Sequence, residues 1–134
     1  MNNIIKLLDE KRLLKVISGI NNYDLNKVRK IVHSAQIAGA NLVDICDDEI
    51  IIKEMQNCFD IDLCVSSVDI EKLKNADKLG VAMLELGNYE ALHAEGIYYS
   101  AQEVLEMARE IMAFEPKALV SITVPGHLEV KDQV

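Results

Sequence analysis

The sequence predicts an α/β fold with a parallel sheet, and three observations carry that prediction. Five short apolar runs recur along the chain, at Leu13–Gly19, Asn41–Asp47, Ile61–Ser67, Val81–Asn88 and Ala118–Pro125. Each ends in small or polar residues, as strands entering turns do. Helical patterns fill the gaps, and strands that alternate with helices at short intervals imply crossovers between parallel neighbours.

Each element has its own local reason. Ile4 to Leu14 mixes apolar and charged residues at helical spacing and predicts a short leading helix. The first strand, Leu13–Ser18, closes at Gly19, and Asn21 and Asn22 follow as turn formers. Asp24 caps a helix carrying Leu25, Val28, Val32 and Ala35 on one face, and Gly39 stops it. The second strand is Leu42–Cys46, and Asp47 or Asp48 caps a helix that runs through Cys58. The third strand, Asp62–Ser66, leads to a helix from about Asp69 to Leu79, with Gly80 as its terminator. Val81–Leu86 is the fourth strand, and a long loop, Gly87 to Tyr99, comes after it. Ser100 and Glu103 then form a capping box for a helix bearing Val104, Leu105, Ala108, Ile111 and Met112. Pro116 marks its exit, and Ala118–Val124 is the fifth strand.

Composition bounds the partners. The 134 residues are 50% hydrophobic and 27% charged, as one globular domain with a real core requires. Aromatic residues make up only 4%, so the core is aliphatic. A formal charge of −8 with scattered Lys and Arg argues against a nucleic-acid partner. The apolar stretches are all far shorter than the ~18 residues of a membrane span, so no membrane partner is expected. Cys46, Cys58 and Cys64 match no zinc spacing, and His33, His93 and His127 form no local ligand pair. No metal is therefore expected, and nothing in the sequence names a cofactor.

Two α/β architectures compete. A (β/α)₈ barrel takes about 250 residues, so five strands in this length are part of one. An open five-stranded doubly wound sheet, of receiver or flavodoxin type, fits the length whole. Strand chemistry favours the TIM-barrel-like reading, as a single partial domain over residues 1–134. Lys15, Asp44, Ser66, Glu85 and Thr123 lie within or at the ends of the runs, and one alternating phase turns all of them to a common side. A polar layer near the strand C-termini is where barrel active sites lie.

That layer defines the candidate site. Lys15, Asp44 and Glu85 are the candidate catalytic residues: a desolvated lysine between carboxylates can serve as acid, base or Schiff-base amine. The structural alternative is an ion-pair layer inside a barrel. Ser18, Gly19, Ser66, Gly87 and Thr123 are the candidate ligand contacts, since small residues let a ligand approach the backbone and hydroxyls donate to its oxygens. Asn88 and Ser67 are assigned to turn chemistry, and Cys46 to a buried structural thiol. His93 and His127 lie in loops, Tyr98 and Tyr99 pack the long loop, and Asp47, Asp48 and Glu49 complement a helix dipole.

The segments L-K-V-I-S-G-I-N-N-Y-D (Leu14–Asp24), A-G-A-N-L-V-D-I (Ala38–Ile45), L-C-V-S-S-V (Leu63–Val68), L-E-L-G-N-Y (Leu84–Tyr89) and S-I-T-V-P (Ser121–Pro125) are similar, in order, to the hypothetical chloroplast reading frame twenty-three (ycf) family. The resemblance implies a TIM-barrel-like fold and names no reaction. It implies a plastid location, the chloroplast stroma, and members about twice this length, of which this chain resembles the N-terminal half. A half barrel has two open sheet edges, so self-association through those edges is expected. The expected function is that of a plastid TIM-barrel-like protein acting on a small, phosphorylated molecule through Lys15, Asp44 and Glu85. The alternative is a non-catalytic metabolite-binding or regulatory module on the same fold.

Overall fold

Helix starts are set by side chains that fill otherwise unpaired backbone donors. A computed structural model describes residues 3–134 and shows such caps at four helix starts. Asp24 accepts from the Asn26 and Lys27 amides and opens helix α2 (Leu25–Ile37); helix α1 (Asn3–Asp9) precedes it. Asp48, rather than Asp47, caps α3 (Glu49–Cys58), and Asp69 caps α4 (Ile70–Lys78). Both halves of the capping box of Ser100 and Glu103 are present at the start of α6 (Ala101–Ala113). Two further short helices are α5 (Glu90–His93), inside the segment read as a long loop, and α7 (Val130–Gln133), after the fifth strand. Each is four residues long, too short to show a helical period.

Five strands form one parallel sheet: β1 (Lys15–Ile17), β2 (Leu42–Ile45), β3 (Asp62–Ser67), β4 (Met83–Leu86) and β5 (Leu119–Ile122). They are shorter than the apolar runs that announce them. Residues such as Leu13 and Val81 lie outside the ladder but still pack against the core.

The strand order is β1-β2-β3-β4-β5, with no reversal. Val16, Val43, Ile45, Leu63, Val65, Leu84, Leu86 and Val120 pack with residues of α2, α3, α4 and α6 in a single cluster. All four long helices therefore lie on one face. A doubly wound sheet reverses its order at a switch point; no reversal is present among the described residues, and on the other face the sheet meets the short helix α1 through Ile4. Unreversed order with one helical layer is the arrangement of consecutive barrel strands.

The opposite phase of the strands forms the inner face. At its N-terminal end Leu42 and Cys64 pack with Ile4 of α1, together with Leu13, Ala82, Met83 and Leu119. Apolar residues thus seal the lower layer of the inner face. The next layer toward the strand C-termini is polar, and the site lies there.

Candidate acid–base site

Register brings the polar residues to one level. Asp44 is paired in register with Cys64, and Ser66 with Glu85, so these side chains converge on the inner face. Lys15, on the neighbouring edge strand, reaches across: its Nζ lies 2.6 Å from Glu85 Oε2 and 3.9 Å from Asp44 Oδ2. Ser66 Oγ donates to Asp44 Oδ1 at 2.6 Å and lies 3.4 Å from Glu85 Oε2. Thr123 Oγ1 donates to Glu85 Oε1 at 3.0 Å. All three candidate catalytic residues, with Ser66 and Thr123, form one connected cluster.

The environment drives the two carboxyls apart in proton affinity. Asp44 is 1% exposed; burial, joined by the charge of Glu85, pushes it up from 3.8 to about 6 against the opposing bond from Ser66. For Glu85 burial acts in the same direction, but it is outweighed. The bond and charge of Lys15, with further bonds from Asp44 and Thr123, hold Glu85 below the ordinary carboxylate range. Burial alone would lower Lys15; its bond to Glu85 and the surrounding negative charge hold it above its ordinary value instead. The chemical consequence is a carboxylic acid poised near neutrality beside a permanent carboxylate–ammonium pair. An amine kept protonated is a poor nucleophile, so Lys15 is suited to charge stabilisation rather than to a Schiff base.

Cys64 also faces the cluster. Asp44, Cys64 and Glu85 present oxygen and sulfur atoms within 4.8 Å of one another, a donor set that invites comparison with a metal site. The Lys15 ammonium already sits against Glu85 and supplies the compensating charge. Burial and the Asp44 charge push the Cys64 thiol well up.

Two residues of the cluster are not among the candidates read from the sequence. Cys64 is hidden in an apolar run. Asn88 looks like an ordinary turn former, yet its Nδ2 donates to Asp44 Oδ2 at 3.1 Å and to Ser66 Oγ at 3.0 Å. Its φ of 63° turns the chain back over the strand ends, a conformation that asparagine tolerates. The G-N pair directly after a strand that carries Glu85 is the available signal.

The remaining candidates, Ser18, Gly19 and Gly87, contribute backbone and turn geometry around the cluster. Ser18 donates its amide to the Asp44 carbonyl at 2.8 Å, and its side chain accepts from Asn22 at 3.2 Å. Gly19, at φ 114°, makes the turn that follows. Gly87 is required by packing: a Cβ there would sit 2.2 Å from Thr123 Oγ1. Its lack of a side chain lets Thr123 reach Glu85.

A second network ties the loops of this end together. Asp47 accepts from Tyr23 at 2.8 Å and from Ser67, and pairs with Lys72 at 3.3 Å. Asp48 is the α3 cap and Glu49 pairs with Lys53, so the three consecutive acids serve three different purposes. Burial pushes the Cys46 thiol up, in keeping with a structural thiol. His93 stacks on Tyr98 at 4.3 Å with His127 edge-on at 5.2 Å, a ring cluster that joins the loops after β4 and β5.

Comparison with known proteins follows the same outline. A protein of the same length class is not what the curated relatives offer: the chain spans about half the length of those it matches. "Uncharacterized protein ycf23" of Pyropia yezoensis is 32% identical over 133 residues, covering 99% of this chain and 49% of the relative. The protein of that name from Cyanidium caldarium is 32% identical over 130 residues, covering 96% and 52%. The one from Cyanophora paradoxa is 30% identical over 134 residues, covering 99% and 55%. The family model described as "Protein of unknown function (DUF561)" matches residues 1–134. With its whole described sheet and the acid–base cluster inside that match, the chain belongs to the DUF561 family.

Proposed function

We propose that the chain is the N-terminal half of a (β/α)₈ barrel that catalyses proton transfer on a small molecule, with Asp44 as the exchanging acid. The observation that carries this reading is the opposed pull on two hydrogen-bonded carboxyls, Asp44 upward to about 6 and Glu85 downward. Pairs of titratable groups driven apart by their surroundings mark acid and base assignments. In this reading the ionised Asp44 carboxyl takes a proton from a substrate carbon or oxygen and gives it back in the return step. Lys15 stabilises negative charge that develops on the substrate, and Glu85 keeps Lys15 protonated and in place. Ser66 and Thr123 hold the two carboxyls, so they act as positioning residues.

The test is solvent deuterium incorporation into a panel of small hydroxy-carbonyl compounds, phosphorylated and not, by a full-length relative. Replacing the residue aligned with Asp44 by Asn is expected to slow exchange by about 10²–10⁴-fold, the usual range for a positioned acid–base group. Unchanged exchange in that variant would remove the catalytic assignment. A second reading, a non-catalytic metabolite-binding module, has its own support: Ser66, Asn88 and Thr123 already satisfy both carboxyls. Saturable binding without exchange across the panel distinguishes it.

The plastid stroma is the proposed location, on the strength of the ycf23 names of the red-algal and glaucophyte relatives. No helix among the described residues is long and apolar enough to cross a membrane. Strands β1 and β5 each have one neighbour, and apolar grooves flank both edges, lined by Val16, Ile31 and Ala35 at one and by Val104, Leu105 and Ile122 at the other. In the longer relatives the remaining strands and helices would fill these grooves; in this chain alone a second copy would. Sedimentation equilibrium is expected to show concentration-dependent dimers, and a strict monomer over the accessible range would count against open edges.

A further inference from the structure

We infer that the group this half of the mouth receives is cationic, a primary amine seated against Asp44 in place of the Asn88 carboxamide; the inference rests on the reading of Asp44 as the exchanging acid. Anions are poorly served here. Helix N-termini are the ready-made anion sites of α/β proteins. Those of α2, α3 and α4 are filled by the chain's own carboxylates, Asp24, Asp48 and Asp69. The α6 terminus is filled by the capping box of Ser100 and Glu103. A phosphate group would have to displace one of them.

The cluster itself is short of positive charge. It holds two buried carboxyls, Asp44 and Glu85, and one ammonium, Lys15, which is committed to Glu85 at 2.6 Å. The groups facing Asp44 are Lys15 from β1, Cys64 and Ser66 from β3, and Glu85 and Asn88 from β4 and its loop; none of these adds a second cation. Cys64 is 0% exposed, its sulfur is aimed into the cluster, and it makes no hydrogen bond among the described residues. It is a polar wall left without a donor. The Asn88 amide bridges Asp44 Oδ2 and Ser66 Oγ with one nitrogen. An ammonium in that position offers three donors, enough for Asp44, Ser66 and a weak contact to the Cys64 sulfur. It also supplies the charge that a proton on Asp44 otherwise supplies.

Amine and proton therefore compete. With Asp44 titrating near 6, methylammonium is expected to bind about tenfold more weakly at pH 5 than at pH 8. The measurement is a titration of the isotopically labelled chain, read at the Asn88 side-chain amide and the Asp44 carboxyl, first with methylammonium and then with inorganic phosphate at matched ionic strength. The expected result is a saturable shift with methylammonium and none with phosphate. Asn88→Gly, which keeps the turn and vacates the seat, should bind more tightly, and Asp44→Asn should not bind. Saturable phosphate shifts at the first-turn amides of α2, α3 or α4 would overturn the inference. So would an Asp44 that titrates near 6 while methylammonium moves nothing, a result that leaves the acid–base reading intact. An Asp44 with an ordinary carboxyl titration would overturn both.

Discussion

Replacing Lys15 with methionine is expected to cost about 3 kcal/mol of stability at pH 8, the lower end of the range for removing one partner of a buried ion pair. The lower end applies because the Lys15 side chain keeps 24% of its exposure. Methionine preserves the length of the stem and removes the ammonium, with its charge and its bond to Glu85. Glu85, 7% exposed, then faces Asp44 with no cation between them. The sign of the pH dependence follows from Glu85. In the native protein its folded-state affinity for protons is depressed, so it contributes stability above its unfolded titration that is lost as pH falls. Without Lys15, burial and Asp44 raise that affinity, and the contribution reverses: it is present at low pH and lost as pH rises. The gap between native and variant should therefore open from pH 4 to pH 8. Denaturant unfolding at several pH values measures it. A gap of constant size, or none, would mean that Lys15 and Glu85 are paired only through solvent.

Much of this site is written in the sequence because strand geometry is periodic. The alternation of side chains along a strand puts Lys15, Asp44, Ser66 and Glu85 on one face once the strands are located, and short apolar runs locate them. The Asp caps at residues 24 and 69 are equally local, since a carboxylate before a helix meets the donors two and three residues on. What the sequence hides is set by contact between distant segments. The choice between Asp47 and Asp48 as the cap depends on Tyr23, Ser67 and Lys72, which draw Asp47 away. Asn88 enters the site through contacts with Asp44 and Ser66, 44 and 22 residues away in sequence, and Thr123 enters it because Gly87 has no Cβ to block it. The hydroxyls of Ser66 and Thr123 turn to Asp44 and Glu85 for a similar reason: they find buried carboxylates at hydrogen-bond distance, and hydrogen bonds to a charged acceptor are the strong ones.

Asp44→Asn is expected to make the protein more stable at neutral pH, an unusual result for a buried polar position. The folded-state shift from 3.8 to about 6 means that the native protein binds a proton more tightly than the unfolded chain. The stability linked to that proton is fully present below about pH 4 and is lost as pH rises through about 6. A shift of that size corresponds to roughly 3 kcal/mol. Asparagine removes the ionisation while keeping an oxygen to accept from Ser66 or Asn88, so the variant does not undergo this loss. Native protein and variant should have similar stability at pH 4 and diverge in favour of the variant by pH 7. The divergence runs opposite to that of Lys15→Met, in which the variant loses ground as pH rises. That opposition follows from the charge each substitution removes, an anion beside Glu85 in one and the cation between the carboxyls in the other. An Asp44→Asn variant destabilised equally at pH 4 and pH 7 would show that hydrogen-bond geometry, not the charge of Asp44, governs the cluster. A variant that is more stable and also inactive would place Asp44 among residues retained for chemistry at the expense of the fold.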